Sequence, residues 1–191
     1  MMRKFFKLIT FSIVLAALAL PSSLMAEQGK FYFGPAMGYN MDAFNAQMED
    51  DNAYGFNFVL GYDFTDHLTL EAQFDKINEI GVKNPVSYDG EADLQGYSLN
   101  VKYYPAKAKT NINGYLTFGL GWMEAETAGN CSDIKKGSGT EEDLWGKFGV
   151  GSDFVVSDKI SFFLEADYAQ GYKDLNPIDF FTAKIGFKIY P

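Results

Sequence analysis

Near its C-terminus the chain reads Phe181-Thr182-Ala183-Lys184-Ile185-Gly186-Phe187-Lys188-Ile189, in which apolar side chains alternate with small or polar ones. A period of two places the two classes of side chain on opposite faces of a β-strand. Comparable alternation occurs eight times after residue 26. Stretches of about 9–11 residues can cross a bilayer as tilted strands, so the pattern predicts an all-β protein with strands of membrane-spanning length.

The predicted strands are joined by connections of unequal length. The strands cover residues 30–41, 53–64, 67–77, 94–104, 114–124, 144–155, 159–169 and 178–190. Shorter connections alternate with longer ones, the longer ones covering residues 42–52, 78–93, 125–143 and 170–177. This rhythm predicts an eight-stranded antiparallel up-and-down transmembrane β-barrel with four long loops at one end. Pro35 lacks an N–H for the ladder, so we expect a local bulge or kink in the first strand.

Residues 1–26 have the layout of a secretory signal peptide. Arg3, Lys4 and Lys7 precede an uncharged apolar segment, and Ala26 offers a cleavage site before Glu27. The apolar segment is short for an uncleaved membrane anchor. We therefore expect an exported mature chain of residues 27–191, a single barrel domain, whose net charge changes from −9 to −12 when the three positive charges are removed.

The composition excludes several classes of function. A strongly acidic chain with no basic cluster is unsuited to nucleic acid. Cys131 is the single cysteine, so neither an intramolecular disulfide nor a multi-cysteine metal site can form. Aromatic residues make up 17% of the chain, which argues against disorder. We find no motif for a cofactor or a metal.

Alternation alone also fits a soluble lipocalin-type barrel, whose apolar face points inward. Here the apolar face carries more large side chains than a narrow eight-stranded interior can hold. The other face carries glycines and charges of both signs, which suit a polar lumen. The predicted lumen charge network consists of Glu71, Asp75, Lys102, Lys147, Asp153, Glu165, Asp167, Lys184 and Lys188. We expect it to plug the lumen, with a gated narrow conduit as the alternative.

Aromatic residues fall near both ends of the predicted strands. Those predicted to lie at the two membrane interfaces are Tyr39, Tyr54, Phe64, Tyr97, Tyr103, Trp122, Phe154 and Tyr168. Two bands of this kind are typical of transmembrane barrels. Trp145 and Tyr190 have the opposite parity and are predicted to point inward.

These features resemble the eight-stranded outer-membrane β-barrels of the OmpA and OmpX type over residues 27–191. The resemblance rests on the alternation, on Gly61-Tyr62-Asp63-Phe64-Thr65-Asp66 and on the amphipathic last strand. It implies a monomer in the outer membrane of a Gram-negative bacterium, in contact with outer-membrane lipid and lipopolysaccharide. It also implies insertion by the barrel-assembly machinery, although the usual terminal aromatic residue is here Tyr190 followed by Pro191.

Three further features of the sequence are candidate functional sites. His67, which could be paired with Thr69 and Glu71 in a lipid A-modifying enzyme, is better interpreted as a turn residue. Cys131 is better interpreted as an incidental loop cysteine than as a reactive thiol. The acidic loop residues could bind divalent cations but lack EF-hand spacing, so a solvated charged surface is favoured.

The sequence therefore predicts a non-enzymatic barrel with a structural or surface-interaction (adhesin-like) role carried by its four long loops. A narrow porin or small-solute conduit is the first alternative. A lipid A-modifying enzyme and a soluble periplasmic carrier are the others.

Overall fold

The computed structural model describes residues 29–42, 53–84, 88–105, 111–128, 140–172 and 179–191. They form β1 Lys30–Asp42, β2 Ala53–Asp63, β3 Leu68–Asn84, β4 Tyr88–Tyr103, β5 Ile112–Ala128, β6 Thr140–Ser157, β7 Ile160–Gly171 and β8 Asp179–Ile189. Each strand pairs antiparallel with its neighbours in sequence, and β1 pairs with β8 to close the barrel. The predicted fold is confirmed. The predicted signal peptide and Cys131 lie outside the described residues.

The middle strands extend further than the alternation predicted. Backbone pairing between β3 and β4 continues to Asn84 and Tyr88, so most of the expected long connection over residues 78–93 is strand. A register shift between Ile77 and Ile80 marks the point where the prediction stopped. Hydrophobic alternation follows the lipid boundary, whereas ladder hydrogen bonds can continue in water. For β3 and β4 the sequence pattern therefore identified only the part that keeps the hydrophobic alternation, whereas the predicted bounds of β2 and β8 agree with the structure to within one residue.

The two faces of the barrel have the orientation that the sequence predicted. Leu120 on the outer face is 69% exposed, whereas Lys102 and Lys188 inside are completely buried. Trp145 also points inward and is buried. This inversion of a soluble protein is what a lipid environment requires, since apolar side chains solvate well in lipid and charges do not. No helix in the described ranges is long and apolar enough to span a bilayer.

Pro35 interrupts one ladder without shifting it. The β1–β8 pairs run from Phe33 with Ile189 directly to Ala36 with Gly186, and the register is unchanged across the gap. On its other side Pro35 keeps its place opposite Phe58 in β2. The expected bulge is therefore a two-residue gap in the β1–β8 ladder.

An arrangement of tyrosine, glycine and glutamate occurs twice across three adjacent strands. In β1–β3, Tyr32 pairs with Gly61, which pairs with Glu71. The Tyr32 ring occupies the space over Gly61, and a Cβ added to Gly61 would lie 2.2 Å from Cζ of that ring. The hydroxyl therefore reaches across β2 and donates to Glu71 Oε2 at 2.7 Å.

The second copy lies in β5–β7 with the same pairing. Tyr115 pairs with Gly151, which pairs with Glu165. A Cβ on Gly151 would come within 2.4 Å of Tyr115 Cζ, and the Tyr115 hydroxyl donates to Glu165 Oε2 at 2.8 Å. The two glycines begin similar stretches of sequence, Gly61-Tyr62-Asp63-Phe64 and Gly151-Ser152-Asp153-Phe154. The two stretches therefore belong to the same structural arrangement.

Replacing Gly151 with valine should destabilise the barrel by about 1–3 kcal/mol, because the new side chain must displace the buried Tyr115 ring. The measurement is the urea unfolding transition in lipid vesicles, followed by tryptophan fluorescence. Gly114→Val is the matched control, since a Cβ there faces outward and meets its nearest atom only at 3.9 Å. Equal effects of the two changes would contradict the close-packing argument.

Candidate functional site

The lumen is closed at the long-connection end by a group of buried apolar side chains, which we call the apolar cap. It consists of Ala53, Ile77, Leu94, Met123, Ala125, Trp145, Ala169 and Phe180. The Trp145 ring fits over two residues without side chains, and a Cβ at Gly96 or Gly121 would lie 3.3 or 2.6 Å from it. The cap shields the charged residues below it from the long-connection end, which we also call the loop end.

Lys102 occupies the centre of the charged region. Its Nζ lies 2.9 Å from Oε2 of Glu71 and 2.9 Å from Oε2 of Glu165. It also lies 4.7 Å from the centre of the Tyr115 ring and 5.1 Å from that of Phe163. Two carboxylates and two aromatic faces therefore replace the water that a buried ammonium loses.

Two further lysines continue the network on β8. Lys184 Nζ lies 2.8 Å from Glu165 Oε1 and also pairs with Asp167. Lys188 Nζ lies 2.7 Å from Asp153 Oδ2, which accepts a hydrogen bond of 2.7 Å from the Tyr104 hydroxyl. Each of the three carboxylates Glu71, Asp153 and Glu165 thus has both a lysine and a tyrosine partner.

The two remaining residues of the predicted network, Lys147 and Asp75, are joined indirectly. Lys147 Nζ donates to Gln73 Oε1 at 2.5 Å, and Gln73 Nε2 donates to Asp75 Oδ1 at 2.5 Å. Asn57 also donates to Asp75, and Asn100 donates to Gln73 Oε1 at 3.1 Å. A neutral amide therefore connects the two charges.

The structure places all nine predicted network residues in the lumen, with their side chains buried. It links Glu71, Lys102, Glu165, Lys184 and Asp167 in one chain of ion pairs, and Asp153 with Lys188 in another. Sequence reasoning missed the uncharged partners Tyr32, Asn57, Gln73, Asn100, Tyr104 and Tyr115. Their inward parity was visible, but which charges they contact depends on register across several strands.

A small cavity of about 10 Å³ lies among the described lumen side chains, directly below the apolar cap, where Trp145 and Phe180 meet Lys147 and Asp167. A second apolar cluster, comprising Tyr32, Ala36, Val59 and Phe163 with Tyr190 against it, is also buried inside the barrel. The described side chains therefore form a packed core and leave about the space of one water molecule in that cavity.

The predicted interfacial aromatics lie on the outer surface in two groups. At the long-connection end Tyr39 contacts Tyr54, and Tyr97 contacts Phe74, with ring centres 5.3 and 5.2 Å apart. In the same group Trp122 donates to Glu142 at 3.2 Å. The Tyr168 ring contacts the rings of Phe148 and Phe181. Neither phenylalanine is among the eight predicted interfacial residues.

The short-connection end has its own aromatic contacts. Phe64 meets Tyr62 edge to face, and Phe154 stacks on Phe162 with ring centres 4.5 Å apart. Tyr103 is exposed near this end of β4. The eight predicted residues therefore divide between the two ends of the apolar outer surface.

His67 does not form a reactive group with its neighbours in sequence. Its Nδ1 lies 2.7 Å from the backbone oxygen of Tyr104, and its backbone N–H donates to Thr65. Thr69 donates to Asp63 instead, and Glu71 is held by Tyr32 and Lys102. Among the described residues no group of three His, Cys, Asp or Glu side chains could hold a metal ion.

A closed eight-stranded barrel with an apolar exterior and ion-paired interior defines an integral membrane β-barrel. The chain belongs to the outer membrane protein beta-barrel domain family, whose sequence model matches residues 10–188. This family places the protein in the bacterial outer membrane.

Solved structures give the same fold. Neisserial surface protein A aligns with a TM-score of 0.66 and 11% identity, covering 85% of this chain and 99% of its own. The N-terminal barrel of Pseudomonas aeruginosa OprF aligns at 0.55 and 15%, covering 86% and 100%. The Yersinia pestis attachment invasion locus protein Ail, bound to the heparin analogue sucrose octasulfate, aligns at 0.50 and 19%, covering 85% and 97%. A search of curated proteins gave no match.

Replacing Lys102 with methionine should destabilise the barrel by about 3–5 kcal/mol, because Glu71 and Glu165 would remain buried without their shared cation. Adding Glu71→Gln should restore part of the loss, because Lys102 is the lysine that pairs with Glu71, whereas Glu165 keeps Lys184. The measurement is urea unfolding in lipid vesicles. Lys76→Met, at an exposed position on the same sheet, is the control and should have little effect on stability. If Lys102→Met has an effect as small as that of Lys76→Met, the central role of Lys102 is refuted.

Proposed function

We propose that this protein is a monomeric, non-conducting and non-enzymatic barrel in a Gram-negative outer membrane, with an adhesin-like surface-interaction role carried by its long-connection end. Residues 1–26 serve as a cleaved signal peptide in this proposal, and the barrel-assembly machinery inserts residues 27–191. The observation that carries the proposal is the filled lumen, since a barrel that transports nothing must act through its surfaces.

Several features of the lumen support a structural role for the charge network over a conduit. Lys102 and Lys188 are completely buried, and their carboxylate partners are held by tyrosine hydroxyls as well. A conducting path would need charges that water can reach and that can exchange partners. The apolar cap also separates these charges from the loop end. Both features favour a static plug.

The charge of the loop end supports a role in surface contact. The four segments expected as long connections, residues 42–52, 78–93, 125–143 and 170–177, contain 14 acidic residues and 4 lysines. Such a surface attracts cations and basic surfaces and repels polyanions. In the outer membrane the nearest anionic groups are lipopolysaccharide phosphates, so divalent cations bridging the two are part of the proposal.

This charge also sets the kind of extracellular partner. Ail was solved with a heparin analogue, a polyanion. A surface as acidic as this one would repel such a ligand, so the proposed partner class is basic or reached through a divalent cation. The aromatic groups at both ends of the outer surface would anchor the barrel at the two membrane interfaces and hold the loop end at a fixed height.

Purified protein reconstituted in planar bilayers should give no current steps above the leak, because the side chains inside leave no continuous water path. A trimeric porin in the same bilayers shows that steps can be detected, and a heat-modifiability gel shows that the barrel is folded. Reproducible steps whose size changes in Lys102→Met would establish the conduit instead.

Cells displaying the protein should attach to epithelial monolayers several-fold better than cells carrying the empty vector. Converting Asp50 and Asp51 to asparagine should remove most of the gain, because it neutralises part of the acidic loop end. Asp66→Asn with Asp158→Asn, at the opposite end of the barrel, is the matched control for lost charge. Attachment equal to the vector, or equal loss in both variants, would count against the proposal.

A further inference from the structure

The cavity below the apolar cap has an unusual lining. Its lining includes two aspartates and two lysines, Asp75, Asp167, Lys147 and Lys184, and the Trp145 ring. The other polar side chains of the lining, Asn40 and Thr182, are hydrogen-bonded to each other. All seven residues are at least nine-tenths buried. The four charges cancel, so an added ion of either sign would meet a like-charged neighbour. The site therefore suits a neutral molecule.

Several polar atoms of this lining have no partner among the described residues. Asp75 uses Oδ1 for Asn57 and Gln73, which leaves its Oδ2 without a hydrogen bond. Asp167 Oδ1 and the Trp145 indole Nε1 are also without one. Lys147 has three N–H groups, one of which is directed to Gln73. Two acceptors, Asp75 Oδ2 and Asp167 Oδ1, and two donors, on Lys147 and Trp145, thus remain on residues that line one small cavity.

We propose that this cavity is a binding site for one water molecule that is an integral part of the barrel. A water can accept from Lys147 and the Trp145 indole and donate to Asp75 Oδ2 and Asp167 Oδ1. Buried waters typically make about three hydrogen bonds to otherwise unsatisfied groups, and a cavity of this size is near the minimum that holds one. Larger neutral molecules do not fit.

The proposed water links two groups of lumen side chains. Lys147, Gln73 and Asp75 form one hydrogen-bonded group, and Asp167 belongs to the chain of ion pairs through Lys184. The water joins these groups to each other and to the cap residue Trp145. This assignment is independent of the proposed surface role, because it concerns only side chains inside the barrel.

The Trp145 indole proton reports directly on the site. The chain has two tryptophans, so the Trp122→Phe variant leaves a single indole signal in the NMR spectrum of the barrel in micelles. A rotating-frame cross-peak between this proton and water, with the sign of dipolar contact rather than chemical exchange, would support the proposal. A missing peak, or one with the sign of exchange, would overturn it.

A cavity-filling variant provides the second test. Ala169 lines the cavity, so Ala169→Val should displace the water, abolish the cross-peak and lower the urea midpoint. Ala125→Val, in the same cap but away from the cavity lining, controls for crowding and should keep the peak. If Ala169→Val is at least as stable as Ala125→Val, the cavity is dry and the proposal fails. If Ala169→Val does not fold, the indole measurement alone decides.

Discussion

The structure depends most on the position of Lys102, whose ammonium is shared by Glu71 and Glu165. A buried charge is tolerated only where partners replace its lost hydration. The two glutamates belong to β3 and β7, on opposite sides of the barrel, and Lys102 lies on β4. One ammonium therefore connects β3 with β7, two strands that share no ladder of hydrogen bonds. The ladder hydrogen bonds close the cylinder, and this contact spans its interior.

The pairing of a tyrosine with a glycine follows from the burial of these two glutamates beside Lys102. A carboxylate beside a buried lysine has further lone pairs that need donors. Each glutamate receives a hydroxyl from a tyrosine two strands away, and the glycine between them lets the ring lie against the backbone. Glycine weakens a strand on its own. Here its cost is offset by a buried aromatic surface and a satisfied carboxylate, and the arrangement serves both halves of the barrel.

The strands, the antiparallel order and the direction of the two faces could be predicted, because they follow from a period of two and from side-chain size. The nine charged lumen residues could be predicted for the same reason. The partners could not, since contact between Tyr32 and Glu71 depends on the register of two ladders at once. Trp145 had the correct inward parity, but only the structure shows the flanking glycines that accommodate its ring. The extension of β3 to Asn84 was missed because its hydrogen bonds leave no hydrophobic pattern.

A packed lumen separates the requirements of stability from those of recognition. The ion pairs, tyrosines and cap residues lie inside, and the outer surface of the strands needs only to be apolar toward lipid. The described contacts reach the ends of the loop segments, through Ala125 in the cap and Glu142 beside Trp122, so the barrel constrains the sequence at those positions. In a conduit, by contrast, the side chains that line the lumen would determine selectivity, so changing them would change transport. Under the proposed surface role, the acidic character of the loop end belongs to recognition, and the packed interior is the rigid support that carries it.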